Sequence, residues 1–457
     1  MNQLLRSTLL FIFTLGIGNL THAVVVDDTT ENTTAPADDP GFSNVAQVKA
    51  ATGVYLGNRW MLTAAHVDAG TVNFPSIGTF SPEPDSLIQL SNPDYDIDLT
   101  PQTDLILFRL TEDPNLPSLR IGQETPAIGT EVLFVGGGRD RVEEPSYWDV
   151  ETSGPQWTWT ESEPPGNYAG FRTNTSTSIR WGSNVVENEE PFFFEFDSNH
   201  TVPVLTTAGG AMLDTITVVT EFDDPDGTRG IQAIDHESQA VSNDSGGGMF
   251  TKVNDEWYLS GLIVAIFGHP DQPDVTTHAI YGDLTLAADL SAYREQIEAV
   301  YLKGDFDGDL DLTTNDIDLL TQAILDEEPA EDWDLDGNGL LNEDDRTEWI
   351  TNVMGTVFGD SNLDRRFSSS DLITVFQANH YEDGIPANSN WESGDWNGDL
   401  EFDSDDLILA FTSSVYEQPI DRASPSAQSV PEPNGMVAMA IIVTGIQILR
   451  RRQTATR

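Results

Sequence analysis

A chain of 457 residues carrying 76 Asp+Glu against 21 Lys+Arg, a formal net charge of −55, is too acidic to hold a phosphate backbone, which excludes nucleic acid as a partner. Its length exceeds one ordinary domain and predicts two or three with real cores. There are no cysteines, so stability has to come from core size and bound metal, and the acidity points to calcium loading or a salt-adapted exterior.

Residues 1–23 carry Arg6, the apolar run Leu9 to Leu15 and a small-residue end, Thr21-His22-Ala23, the layout of a secretory signal peptide. Residues 24–41 are polar and aperiodic, which predicts a flexible N-terminal segment. Order is expected from Phe42. Val54-Tyr55-Leu56 and Trp60-Met61-Leu62-Thr63, joined across Gly57-Asn58, predict a hairpin whose second strand leads into Ala64-Ala65-His66. The run Asp104 to Leu110 opens on an acid and continues mostly apolar, as a buried strand does. Further strands are expected at Val132 to Val135, Thr215 to Val219, Tyr258 to Phe267 and Ala279 to Tyr281, and a helix at Leu290 to Leu302. The stretch 139–205, rich in Trp, Glu, Thr, Pro and Gly, gives no readable architecture.

Asn243-Asp244-Ser245-Gly246-Gly247-Gly248 reads as a nucleophile loop. Glycines permit positive φ and close backbone approach, and a serine at the bend can present its hydroxyl while nearby amides face a developing oxyanion. Serine needs an imidazole base, and that base needs a carboxylate to orient it. His66 follows a predicted core strand, whereas His200, His236, His269 and His278 sit in polar or loop-like contexts. Asp104 is favoured as orienter because one acid opening a hydrophobic strand is otherwise an odd burial; Asp96 and Asp98 are its rivals.

The blocks Leu62-Thr63-Ala64-Ala65-His66-Val67, Asp104 to Leu110 and Asn243 to Gly248 resemble the three signatures of the trypsin/chymotrypsin-like serine proteases, in that family's order. The resemblance covers roughly 42–301. It implies two packed antiparallel β-barrels over domain 42–302, with Ser245 as nucleophile, His66 as general base and acid, and Asp104 holding the imidazole tautomer. The amides of Asn243 and Ser245 would form the oxyanion hole, although the family has glycine where Asn243 stands. Gln239 falls at the base of the specificity pocket, which removes the usual electrostatic basis for Arg or Lys preference. The resemblance also raises the activation in which a new N-terminus pairs with Asp244: a cut after Ala23 would place Val24 42 residues before His66.

From 304 to 420 there are 30 Asp+Glu against 3 Lys+Arg, arranged in a twelve-residue pattern four times. Positions 1, 3, 5, 7 and 12 are Asp305, Asp307, Asp309, Asp311 and Asp316. They recur as Asp334, Asp336, Asn338, Leu340 and Asp345, as Asp360, Asn362, Asp364, Arg366 and Asp371, and as Asp395, Asn397, Asp399, Glu401 and Asp406. Alternating oxygen ligands suit a hard cation, and position 7 needs only its carbonyl. A solvated acidic face does not predict the shared apolar position 8, Leu312, Leu341, Phe367 and Phe402. Region 303–420 resembles dockerin-type EF-hand repeats, a small α-helical calcium-binding region, as two tandem pairs or one pair with a degenerate one. Only Gly339 provides the glycine at position 6; Leu310, Arg365 and Leu400 depart from it, which is expected to weaken or distort the bend of those loops.

After a linker at 421–429, Val430-Pro431-Glu432-Pro433, an apolar run from Gly435 to Leu449 and Arg450-Arg451-Arg452 resemble the PEP-CTERM sorting signal, with a plain C-terminal anchor as the other reading. The sequence thus points to an exported, extracellular or cell-surface serine endopeptidase. Its expected partners are a protein or peptide substrate, and a surface or cohesin-like partner for the repeats. The membrane enters only through the sorting segment. Calcium is the expected structural cofactor, with none needed for catalysis. The competing class is a surface adhesion or scaffold protein whose protease-like domain is inert.

Overall fold

Alternation of apolar runs and turn residues between Phe42 and Asp289 yields strands rather than helices, as the computed structural model describes for residues 24–28, 32–93, 99–154, 156–187, 202–208, 211–225 and 232–418. The expected signal peptide, linker and sorting segment, with His200, Asp96 and Asp98, lie outside the described residues. The chain divides into two compact units at Leu312/Thr313 rather than at the expected 302/303.

In the first unit two seven-stranded antiparallel sheets carry the architecture. One is ordered Gly78–Phe80, Val72–Phe74, Val45–Val48, Ala51–Gly57, Trp60–Ala64, Gln102–Arg109, Ile88–Ser91. The other is ordered Arg180–Val185, Glu131–Gly136, Gly248–Val253, Glu256–Phe267, Leu284–Asp289, Ala211–Glu221, Val202–Ala208. Both faces of Gln102–Arg109 are covered. Leu105 and Leu107 join a core shared with Leu133, Val135 and Leu262 of the other sheet, while Phe108 packs with Val48, Tyr55 and Phe74. Burial on both faces explains why this strand reads as an unbroken apolar run. The closing helix, Arg294–Tyr301 after a single turn at Leu290–Ala292, buries Ile297 and Tyr301 in the shared core.

Within the stretch that had no readable architecture, residues 139–177 supply four strands of a five-stranded sheet. Arg139–Arg141, Tyr168–Thr177, Ser146–Glu151 and Thr158–Ser162 follow one another, and His278–Ile280 pairs with Tyr168–Thr177. Its strands were illegible because their outward residues, Thr, Glu and Ser, break the apolar run, and of the large apolar side chains on the four strands within 139–177 just Trp148, Val150 and Phe171 are buried. The N-terminal segment also differs from the flexible start expected of it. Val25–Val26 pairs with Ser238–Gln239, and Val24, Val25 and Val26 are buried. Three adjacent valines provide the apolar area that the polar residues around them conceal.

The second unit has helices at Thr314–Leu325, Glu343–Glu348, Ser369–Ala378 and Ser404–Ser413, each opening on a capping box. Trp349, Phe367, Trp391, Trp396 and Phe402 are buried in it. Arg346 lies among them, donating to the carbonyls of Trp396 (2.8 Å) and Asp395 (3.1 Å) and to Thr321 Oγ1 (2.9 Å), so each nitrogen of a charge that burial would otherwise penalise has a hydrogen-bond partner.

Candidate active site

His66 leaves the end of strand Trp60–Ala64, which pairs with Gln102–Arg109 so that Thr63 faces Ile106 and Ala64 faces Leu105. Asp104 is therefore next to His66 by register. Its carboxylate accepts the His66 backbone N–H at 2.8 Å through Oδ1 and faces His66 Nδ1 at 2.6 Å through Oδ2. Asp104 is fully buried, while the His66 side chain keeps 27 % of its exposure, so the carboxylate is shielded from solvent and the imidazole is in part open to it. The Asp104 amide donates to Thr215 Oγ1 (3.0 Å), which also meets Thr103 Oγ1 (3.0 Å). Tyr293 Oη accepts from Thr103 (3.3 Å) and from the Ile216 amide (3.0 Å) and donates to Asn92 Oδ1 (2.7 Å).

Ser245 is brought to this pair through Thr52, on the strand beside Trp60–Ala64. Thr52 donates its amide to the Ser245 carbonyl (3.0 Å) and its hydroxyl to the Asn243 carbonyl (2.9 Å). The Thr52 carbonyl in turn accepts from Thr63 Oγ1 (2.6 Å), three residues before His66. Gly246 has φ +87°, and a Cβ there would lie 2.0 Å from the Thr52 carbonyl oxygen, so only glycine lets the loop dock this closely. Among the described residues no hydrogen bond joins Ser245 Oγ to the imidazole; such bonds often close only when substrate is bound. Sequence reasoning missed Thr52, Thr63, Thr103 and Thr215, because a threonine in a β-strand carries no distinguishing signal.

The amides of Asp244, Gly246 and Gly247 donate to the carbonyls of Val241 (3.0 Å), Ile263 (2.7 Å) and Asp244 (2.7 Å). Those of Asn243 and Ser245 donate to no group among the described residues, so the serine's own amide and that of the residue two positions before it are left for a ligand oxygen. Asn243 takes φ +80°, the left-handed conformation that glycine adopts freely and asparagine tolerates. The departure at 243 thus leaves the loop's backbone path open.

Asp244 is completely buried. Its carboxylate accepts the amides of Val241 (2.8 Å), Gly138 (2.7 Å) and Val24, and loss of solvation pushes it up to about 7. Asp140, raised by burial to about 6, adds a second negative group beside it. Gln239 is buried too, donating to the Leu284 carbonyl (3.1 Å) and accepting from Thr285 Oγ1 (3.1 Å), so its amide is neutral and already committed. The rival histidines find other partners. His236 Nδ1 meets the exposed Asp28 (3.1 Å), His269 Nε2 meets the Tyr281 carbonyl (2.9 Å), and His278 Nδ1 lies 3.0 Å from Thr277 Oγ1.

The acidic repeats share one backbone. Positions 4 and 6 have positive φ in every loop: 74° and 81° at Gly308 and Leu310, 75° and 82° at Gly337 and Gly339, 56° and 67° at Leu363 and Arg365, 83° and 67° at Gly398 and Leu400. The missing glycines have therefore not altered the bend. Position 12 closes each loop as the N3 member of a capping box, with Asp316, Asp345, Asp371 and Asp406 accepting the amides of Thr313 (2.7 Å), Asn342 (2.9 Å), Ser368 (2.9 Å) and Asp403 (2.9 Å). Carboxylate oxygens of Asp305, Asp307 and Asp309 lie within 4.8 Å of one another, as do those of Asp334, Asp336 and Asp345. This all-oxygen donor set fits a hard divalent cation. The third and fourth loops put Asn362 and Asn397 at position 3, and burial raises their first acids, Asp360 and Asp395, to about 7.

No family model matches the chain, and no curated protein does. Among solved structures it is similar to mouse neuropsin, a serine protease, at 14% identity over 58% of this chain and 96% of that one, with a TM-score of 0.33. A variant of human heparin binding protein is 15% identical over 57% of this chain and 92% of its own, with a TM-score of 0.32. A Mycobacterium tuberculosis protein in an inactive form is 12% identical over 61% and 95%, at 0.30. At scores of this size none of these likenesses bears on function.

Proposed function

We propose that the chain is an exported serine endopeptidase whose first unit hydrolyses peptide bonds through Ser245, His66 and Asp104. The observation that carries this reading is the fully buried Asp104 bonded to both the backbone and ring nitrogen of His66, with the Ser245 loop docked beside them through Thr52. His66 Nε2 takes the Ser245 proton as Oγ adds to the scissile carbonyl, and the amides of Asn243 and Ser245 receive the oxyanion. Collapse expels the amine, protonated by His66, and leaves an acyl-enzyme; water activated by the same imidazole then releases the acid and restores Ser245. Gln239, neutral and hydrogen-bonded, favours a neutral or polar side chain over Lys or Arg. Purified chain is expected to cleave casein and to lose that activity with a serine-directed inhibitor. Casein left intact by the mature chain would rule the reading out.

The four loops are read as calcium sites of a dockerin-like region that serves surface attachment or holds a cohesin-like partner. The supports are the repeated twelve-residue spacing, the common backbone of positions 4 and 6, and the two compact carboxylate sets. A bound calcium would supply the positive charge that offsets those carboxylates. Calcium is expected to raise the melting temperature of the full chain and a chelator to lower it; identical melting in both conditions contradicts this. Export, and sorting to the surface by the C-terminal segment, rest on the sequences of 1–23 and 430–457.

A further inference from the structure

The first acidic loop differs from the third and fourth in what holds it. Its positions 1–8, Asp305 to Leu312, fall within the first compact unit. Asn58, at the turn of the hairpin Ala51–Gly57/Trp60–Ala64, donates Nδ2 to the carbonyls of Tyr301 (2.9 Å) and Leu310 (3.2 Å). Its Oδ1 accepts the Leu312 amide at 3.1 Å. One side chain therefore holds the loop at positions 6 and 8, together with the end of the helix that leads into it. Ser118 adds a second tie, donating Oγ to Asp311 Oδ1 at 2.7 Å. A Cβ at Gly57 would lie 2.0 Å from that Ser118 oxygen, so the turn is shaped to let Ser118 through. In the third and fourth loops position 8 is held otherwise: the Phe367 carbonyl accepts from Glu417 (2.8 Å), and that of Phe402 from Glu382 (3.0 Å), all in the second unit.

We infer that the first loop is the catalytic unit's own cation site, and that its loading by a hard divalent cation is transmitted through Asn58 to the hairpin that presents His66. The inference rests on the calcium reading above and goes beyond it by assigning one loop to a different task. Asp305, Asp307 and Asp309 converge within 4.8 Å, where their charges repel unless a cation lies between them. A cation there fixes positions 1–5, and the fixed loop presents the Leu310 carbonyl and Leu312 amide to Asn58. The hairpin turn is then held at a rigid point, and its second strand ends two residues before His66.

Hydrogen exchange of the full chain, read by mass spectrometry with calcium and with a chelator, tests this. Calcium is expected to slow exchange about tenfold in the peptide covering 51–64, as well as in the loops themselves. In Asn58→Ala the slowing at 51–64 is expected to disappear while that at 334–345 remains. Asp307→Asn with Asp309→Asn leaves the hairpin sequence untouched and is expected to give the same result, which guards against misfolding of the Asn58 variant. Calcium protection at 334–345 with none at 51–64 in the parent chain overturns the inference and leaves the calcium reading standing. Protection at 51–64 that survives both variants overturns it as well, and protection nowhere removes both readings.

Discussion

Asparagine in place of Asp104 is expected to lower kcat about 10⁴-fold while leaving the fold and substrate affinity nearly unchanged. Asp104 is fully buried and faces both the amide and the ring Nδ1 of His66, so it fixes which ring nitrogen carries the proton. Asparagine fills the same space, but its NH₂ group cannot accept from Nδ1–H. The ring then adopts the tautomer whose Nε2 is protonated and cannot take the Ser245 proton. Steady-state hydrolysis of a peptide ester, run beside a thermal melt, separates this from unfolding. A folded variant that keeps more than about a tenth of the parent kcat would show that Asp104 does not orient the base.

The second large effect concerns Val24, the residue that a cut after Ala23 would leave at the N-terminus. Val24 is buried with its N–H on the Asp244 carboxylate, one residue from Ser245 and beside Asp140. A cut after Ala23 would place an α-ammonium at this point, where pairing with Asp244 would steady the amides of Asn243 and Ser245 that the proposed mechanism uses. A chain that retains a residue ahead of Val24 is expected to lose about 10²–10³ in kcat, the loss typical of one oxyanion donor. The uncleaved chain also carries a pH signature. Burial raises Asp244 to about 7, above its unfolded value of 3.8, so its contribution to stability is complete below pH 4 and falls as pH rises toward 7. Asp140, raised to about 6, acts in the same sense. The uncleaved form is therefore expected to melt lower at pH 8 than at pH 5, and Asp244→Asn to flatten that slope. Equal activity of cleaved and uncleaved chains would separate Asp244 from activation.

The parts of the site that lie on strands could be read from the sequence, because strand register carries chemistry to a fixed place. Once Trp60–Ala64 and Gln102–Arg109 pair, His66 and Asp104 meet without further information. The approach of Ser245 could not be read that way. It depends on Thr52 and Thr63, whose hydroxyls bond carbonyls from distant segments, and sequence pattern does not encode such contacts. The sheet within 139–177 was hidden for a related reason: its strands alternate Trp and Tyr with Thr and Glu and take one edge partner, His278–Ile280, from a hundred residues further on. The acidic loops show the reverse. Their spacing was plain, yet the expectation that Leu310, Arg365 and Leu400 would disturb the bend placed too much weight on glycine, since the surrounding hydrogen bonds hold non-glycine residues at positive φ.

Labelling of the full mature chain by a fluorophosphonate probe tests the central claim most directly, because the probe reacts with a serine only where a base and an oxyanion site are already assembled. The chain is expected to take up one probe, on Ser245, and to lose it completely in Ser245→Ala and nearly so in His66→Ala. Labelling that persists undiminished in Ser245→Ala, or no labelling of a folded mature chain, would contradict the account.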